Sequence, residues 1–329
     1  MKKAPCALAT AAVLTFVSQL AVAQTPVDVR VGTSGTANTV LAIWMADDAG
    51  LYAKHNLKVT LSNMGGGSRG AAEVRAGKLD VMHVGLSSVV QLNQQGADLR
   101  TIASLANIIR FGFFTVPGVK SAAELKGGTV AISAAGSESD AVATIALERL
   151  KLTRNDVVLR ELGDSLKRLE ALKAGEVKAT MLNEPFATAA RDMGLKPIVD
   201  LAAERIPWLF STLVVSQRYL NENRDVMARF LRATAEGNYL ALAEPARAKQ
   251  VLAKGTRVTD PKVVEITYTD FIQMTPLDLS VPRAGAENIL AHFPASVSRN
   301  LDDYIDLSVL EALRQEGLFA ALEKKYGKR

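Results

Sequence analysis

ADDAGLYAKHNLKVTLSNMGGGSRGAAEVRAGKLDVMHV, residues Ala46 to Val84, alternates helical and extended signals and leaves small, glycine-rich turns where the extended segments end. A helix stops at Gly50. Leu57, Val59 and Leu61 alternate with polar residues as in a strand, and the turn Gly65-Gly66-Gly67-Ser68-Arg69 opens a second helix that closes at Gly77. Leu79 to Val84 reads as the next strand and runs into Gly85-Leu86-Ser87-Ser88, a polar turn before another helix. This order predicts an open α/β sheet. In such sheets ligands gather beyond the carboxyl ends of the strands, where the N–H groups of helix N-termini are unpaired.

Outward from that stretch the alternation continues. Val27, Val29 and Val31 mark a first strand, followed by a Gly32 to Thr36 turn and a helix carrying Val40, Ile43 and Trp44. Ile108 to Val116 reads as one long strand leaving the first set of elements. After Pro117-Gly118 a smaller set follows: strands at Thr129 to Ile132, Val157 to Leu162 and Lys178 to Leu182, and helices at Ser139 to Leu150, Leu166 to Ala174 and Pro185 to Asp192. Leu209 to Val215 reads as a strand returning to the first set, and the remainder is mainly helical, ending in an amphipathic helix from Ser308 to Lys325. Two strands crossing between two units predict a hinged clamp that takes its ligand out of water on closing.

The amino terminus gives an address. Lys2 and Lys3 precede an apolar run from Ala7 to Val17, and Ala21-Val22-Ala23 supplies the small residues of a signal-peptidase site, which predicts cleavage before Gln24. The run is too short for a bilayer span of about 20 residues. Cys6, the one cysteine of the 329 residues, falls inside this segment, so the mature chain has no disulfide, thiol nucleophile or thiolate metal site. Net charge is +5, falling to +3 without Lys2 and Lys3, and is dispersed rather than striped, which gives no support to nucleic-acid binding.

Taken together, Ala46 with Gly50-Leu51-Tyr52, the glycine-rich start from Gly65 to Gly70, Gly77-Lys78-Leu79-Asp80-Val81, Gly96-Ala97-Asp98-Leu99, Ser121 to Gly127, and Asn183-Glu184-Pro185 make the chain resemble the periplasmic solute-binding proteins of ABC importers, in the sulfonate, nitrate, taurine and thiamine-precursor group. The resemblance implies an α/β, two-lobe periplasmic binding protein fold (type II), with lobe 1 formed by residues 24–115 and 212–329, lobe 2 by 116–211, and the signal peptide by 1–23. It implies a monomeric, periplasmic receptor for a small organic anion or zwitterion, with permease and ATPase subunits as partners and no cofactor. A sensory binding protein and a lyase on the same fold are the alternatives. Thiamine-pyrimidine synthases that resemble this group carry a cysteine cluster, which the mature chain lacks.

Five helix starts are candidates for the cleft. They are Ser34-Gly35-Thr36, Gly67-Ser68-Arg69 and Ser87-Ser88 in the first lobe, and Ser137-Glu138-Ser139 and Asn183-Glu184 in the second. Each combines hydroxyl or amide groups with free N–H groups, although the same residues also serve as plain helix caps. Arg69 is the candidate charge partner, a guanidinium fork suited to carboxylate or sulfonate oxygens, with pairing to Glu73 as the alternative. Trp208 and Phe210 offer either an aromatic wall or core packing. Glu138, Asp140, Asp164 and Glu184 make the second lip acidic, which suits a zwitterion or a solute with amine or hydroxyl donors. Catalysis has little basis: His55, His83 and His292 lack metal-ligand spacing, His83 reads as a core residue, and no phosphate loop occurs.

Overall fold

The computed structural model describes residues 25–328, so the expected signal peptide and its cleavage site lie outside the described residues. The ten strands are β1 (Val27–Thr33), β2 (Leu57–Asn63), β3 (Val81–Val84), β4 (Leu99–Ile108), β5 (Gly112–Thr115), β6 (Thr129–Ile132), β7 (Val158–Glu161), β8 (Ala179–Leu182), β9 (Pro197–Asp200) and β10 (Pro207–Ser216). They form two five-stranded sheets, ordered β2-β1-β3-β10-β4 and β7-β6-β8-β5-β9. In both, three parallel strands are followed by an antiparallel one in the fourth place: β10 against β3 and β4, and β5 against β8 and β9. Helices between the parallel strands follow from the crossover such strands require.

The quoted stretch folds as its pattern predicts. Gly50 ends the Leu41–Asp48 helix in the left-handed region at φ 65°, the Gly67–Arg75 helix closes before Gly77 at φ 70°, and β3 runs into the Leu86–Gln94 helix. Val29 and Val31 of β1 and Val81 of β3 are fully buried among Val40, Leu41, Phe230 and Tyr239 in the core of the first sheet.

Three expectations change. Ile108 to Val116 is two strands rather than one: Ile109 to Phe111 pass between the sheets, and Gly112–Thr115, expected in the first unit, pairs with β8 and β9 in the second. Likewise β10 pairs with the first sheet from Pro207 onward, so residues 207–211 join it earlier than the expected boundary. Both sheets bury this apolar run, and hydropathy therefore carries no mark of the change of partners. The expected last helix is also two, Ser308–Gln315 and Leu318–Tyr326, separated by Gly317 at φ 80°. Among the described residues no helix is long and apolar enough to cross a membrane, and no cluster of His, Cys, Asp and Glu could hold a metal ion.

Candidate functional site

The carboxyl ends of β1 and β3 face those of β6 and β8 across a cavity of about 60 Å³. From the first sheet come Ser34, Gly35 and Thr36 after β1, Gly67 at a helix start, and His83 on β3. The Gly67 position is forced by packing, since a Cβ there would lie 2.6 Å from Val84 Cγ2. Facing them are Ser137, Glu138 and Ser139 at the start of the Glu138–Arg149 helix, Asn183 after β8, and Arg168 on the Ser165–Lys173 helix. Phe111, Phe186 and Phe210 supply the apolar part of the wall.

Of the fourteen residues expected at the site, the structure brings eight to this cavity: Ser34, Gly35, Thr36, Gly67, Ser137, Glu138, Ser139 and Asn183. The others have different surroundings. Arg69 is half exposed at the rim and donates through Nη2 to Glu161 Oε2 at 3.3 Å, not to Glu73. Ser68 beside it is outside the lining. Ser88 Oγ donates to the Gly136 carbonyl at 3.2 Å. Glu184 accepts from Thr188 N and Arg191 Nη1 at 3.1 and 3.0 Å. Trp208 is buried and donates through Nε1 to Glu138 Oε2 at 2.6 Å, while Ser87 donates its backbone N–H to Glu138 Oε1 at 2.7 Å. Arg110 is tied to Asp270 of the Pro261–Met274 helix, away from the cavity.

Glu138 is therefore a strut between the sheets. It reaches from the second-sheet side to the start of the Leu86–Gln94 helix on the first, and a Cβ on Gly85 would meet its Cδ at 2.2 Å. Burial pushes its carboxyl up to about 7, with the Trp208 and Ser87 donors pulling the other way. Across the rim, Asn63 Nδ2 donates to Asp164 Oδ2 at 3.1 Å, a second tie between the sides.

Arg168 was missing from the sequence expectation, and it is the most informative residue here. Its side chain is 2% exposed. Nε donates to the Asp164 carbonyl at 3.4 Å and Nη2 to Ser165 Oγ at 2.8 Å, and Ser165 Oγ in turn donates to Asn183 Oδ1 at 2.8 Å. The guanidinium lies 5.6 Å from the centroid of the Phe111 ring. Nη1 is buried with no partner, Arg168 is one of the residues lining the cavity, and it forms no salt bridge among the described residues. Burial pulls its pKa down to about 10, which leaves it charged at neutral pH. The Asp164 carboxylate acts on it coulombically without forming an ion pair, and a buried charge left without a direct partner is costly. A signal for it did exist: Ser165, Arg168, Leu169 and Leu172 share one buried helical face, and Arg168 sits within that apolar spacing.

His83 is buried beside the cavity. Nε2 bonds Ser211 Oγ, the ring also lies against the backbones of Thr39 and of His83 itself, and burial pulls the imidazole down to about 4, so it is neutral at pH 7. Thr36 Oγ1 is a second orphaned atom of a cavity-lining residue. Buried polar atoms in folded proteins nearly always find partners, and among the described residues Thr36 and Arg168 each bring such an orphaned atom to the residues that line this cavity.

Residues 38–248 match the family described as NMT1/THI5 like. The riboflavin-binding protein RibY of Chloroflexus aurantiacus is 27% identical over 164 residues, 48% of this chain and 46% of RibY, so the chain spans less than half the length of the curated relative it matches. A protein of Bordetella bronchiseptica RB50 has a similar structure, with a TM-score of 0.80 at 19% identity, covering 92% of this chain and 99% of the other. The periplasmic aliphatic sulphonate binding protein SsuA of Escherichia coli gives 0.61 at 19% identity, with 92% and 94% covered. The desulfurization enzyme DSZB gives 0.60 at 16% identity, with 88% and 99% covered. These likenesses establish the two-lobe periplasmic binding protein fold, which binding proteins and an enzyme share. The chain belongs to the NMT1/THI5-like family.

Proposed function

We propose that this NMT1/THI5-like chain is the solute-binding component of an ABC-type importer, exported to the periplasm, capturing a small organic anion between its lobes with Arg168 as the charge partner. The observation that carries this reading is the buried guanidinium of Arg168, a residue that lines the interlobe cavity, with no ion pair and with Nη1 unpartnered. A solute oxygen on Nη1 would supply the missing ion-pair partner, and a charged hydrogen bond of this kind contributes about 1.5–3 kcal/mol. Closing around the solute strengthens that bond by excluding water, so the solute's binding free energy is what shifts the lobes toward the closed form. The fold shared with SsuA supports the importer role and implies permease and ATPase partners.

The site residues under this reading are Arg168, His83, Thr36, Ser34, Ser137 and Asn183, with Glu138 linking the lobes. Lobe 1 comprises the first sheet with the carboxyl-terminal helices, and lobe 2 the second sheet with its helices. Mass spectrometry of small molecules released from the purified protein, followed by calorimetry with the wild type and Arg168→Gln, tests the proposal. A copurifying anion whose affinity collapses in the variant supports it, and Arg168-independent binding refutes it.

An enzyme is the second reading, favoured by the fold shared with DSZB and by the His83–Ser211 contact beside the cavity. Incubating the protein with its copurified solute and following the solute by NMR separates the two. A receptor leaves the spectrum unaltered at stoichiometric binding, whereas more than one product molecule per protein identifies an enzyme.

A further inference from the structure

The Pro261–Met274 helix is rooted in the core of the first sheet through Val264, Tyr268 and Phe271, yet its polar side chains reach across to the other side of the molecule. Lys262 Nζ pairs with Asp192 Oδ1 at 3.2 Å, at the end of the Phe186–Asp192 helix that belongs with the second sheet. Toward its other end the helix meets both segments that pass between the sheets. Asp270 pairs with Arg110 of the first segment, whose side chain is 4% exposed, and Met274 Sδ accepts from Arg205 Nη1 of the second at 3.1 Å. The two segments also hold each other, Ile109 N–H donating to the Ile206 carbonyl at 3.0 Å.

Asp270 does more than neutralise Arg110. Its Oδ2 also accepts from Asn38 Nδ2 at 2.7 Å, and Nδ2 donates to the Thr267 carbonyl at 3.3 Å, so Asn38 is fixed to the helix at two points. Asn38 lies within the run from Ser34 to Val40 whose other members line the interlobe cavity, and its backbone N–H donates to the Glu184 carbonyl at 3.4 Å. Glu184 directly follows Asn183, a lining residue of the opposite wall. One carboxylate thus ties a crossing segment to both walls. The charge of Asp270 also acts on the Glu184 carboxyl, which opposes closure, but Arg191 Nη1 pairs with Glu184 at 3.0 Å and offsets it.

We infer that this helix is a brace for the closed arrangement of the lobes, with Asp270 as its positioning residue. The Asn38–Glu184 and Lys262–Asp192 contacts span the lobes and are lost when these separate, and turning the crossing segment swings the long side chain of Arg110 away from Asp270. Contacts made in the closed form alone are what shift an open–closed equilibrium. The Lys262–Asp192 pair is solvated and contributes little, whereas no water replaces Asp270 at the buried Arg110, so the weight falls on Asp270. This rests on the proposed two-lobe clamp but not on which solute the clamp takes.

The test reads closure without any solute. In a chain starting at Gln24, which otherwise has no cysteine, Gly66→Cys with Ala134→Cys makes a trap: a Cβ on Gly66 would stand 3.6 Å from Ala134 Cβ across the lobes, within the roughly 3.5–4.5 Å that a disulfide spans. The initial rate of cross-linking by oxidised glutathione, corrected for the reactivity of each cysteine alone, follows the closed population. Asp270→Asn should slow it about fivefold or more and Asn38→Ala about threefold or more. The double variant should fall within about twofold of the slower single one, because both act through one contact. A merely structural Asp270 would lower the urea midpoint and leave the cross-linking rate unchanged. That result overturns the inference, as do faster cross-linking in Asp270→Asn and a pair that fails to cross-link in the otherwise wild-type chain. Should Asp270→Asn misfold, Asn38→Ala decides on the same terms. An unchanged rate beside Arg168-dependent anion binding removes the brace and keeps the receptor, whereas slowed cross-linking in a protein whose binding ignores Arg168 keeps the brace and removes the anion receptor.

Discussion

Arg69 and Arg168 stand in comparable places, each within the first turn of a helix that starts at the cleft, one on each side. Their surroundings differ in kind. Arg69 is half in water with Glu161 as its partner, whereas Arg168 is 2% exposed and has only neutral partners. Water screens the first, so its ion pair contributes little and its charge is satisfied without a ligand. For the second, solvent is excluded and only the nearby Asp164 carboxylate, which forms no ion pair with it, works against the cost of burial. Residue type and a neighbouring glycine turn favoured Arg69, but burial and the tally of satisfied N–H groups select Arg168.

The comparison breaks most directly at Arg168. Arg168→Gln should lower solute affinity by about 2–5 kcal/mol, roughly thirtyfold or more, because truncating one partner of a buried charged contact strands the other. The same substitution should leave thermal stability without solute equal or higher, since it removes a buried charge that has no ion pair. Affinity that holds while stability drops would mean Arg168 is a structural cation.

Next comes the strut. Gly85→Val should cost about 1–3 kcal/mol of solute affinity by overpacking against Glu138, with secondary structure retained by circular dichroism. Unchanged affinity would show that closure does not need the Glu138 contact with Ser87.

Glu138 also predicts a pH dependence. Its carboxyl sits near 7 when buried between the lobes, against an ordinary value of 4.5 when solvated. A carboxyl raised in the closed form contributes fully at low pH, and that contribution is lost as pH rises from the solvated value to the buried one. Solute affinity should therefore fall between pH 5.5 and 7 by at most about tenfold per unit, and level off above. Glu138→Gln carries no charge at any pH and should flatten the profile. Equal slopes in both proteins would place the titrating group elsewhere.

The smallest effect is expected at the rim. Arg69→Ala should change affinity by no more than about 0.5 kcal/mol, a factor of roughly two, and less in higher salt. A loss beyond tenfold would exchange the roles assigned to the two arginines.

Much of the fold was legible because its signals are local. Glycines at helix ends, alternation in β2 and hydroxyl residues at helix starts depend only on near neighbours, and eight of the expected site residues follow from where strands end in an α/β sheet. What was not legible depends on the other sheet. Arg168 reads as one more cation in Ser165–Lys173 until Phe111 and Asn183 close over it. Trp208 reads as either a cleft wall or a core residue, and its indole N–H donates to a carboxylate 70 residues away in sequence. The change of sheets at Ile109 to Phe111 is hidden because every residue there is buried on both sides of the crossing.

The position of β10 between β3 and β4 has a consequence for how the chain is made. The first sheet has a gap in its middle until residues 207–216 arrive, although its other four strands are complete by Ile108. The second sheet draws all of its strands from residues 112–200 and can assemble as soon as those have emerged. β1, β2 and β3 pair with one another, but β3 and β4 meet only through β10, about a hundred residues or more downstream, the long-range pairing that slows folding. Under the proposed export to the periplasm, such late closure of the first sheet would suit a chain threaded across a membrane before it folds.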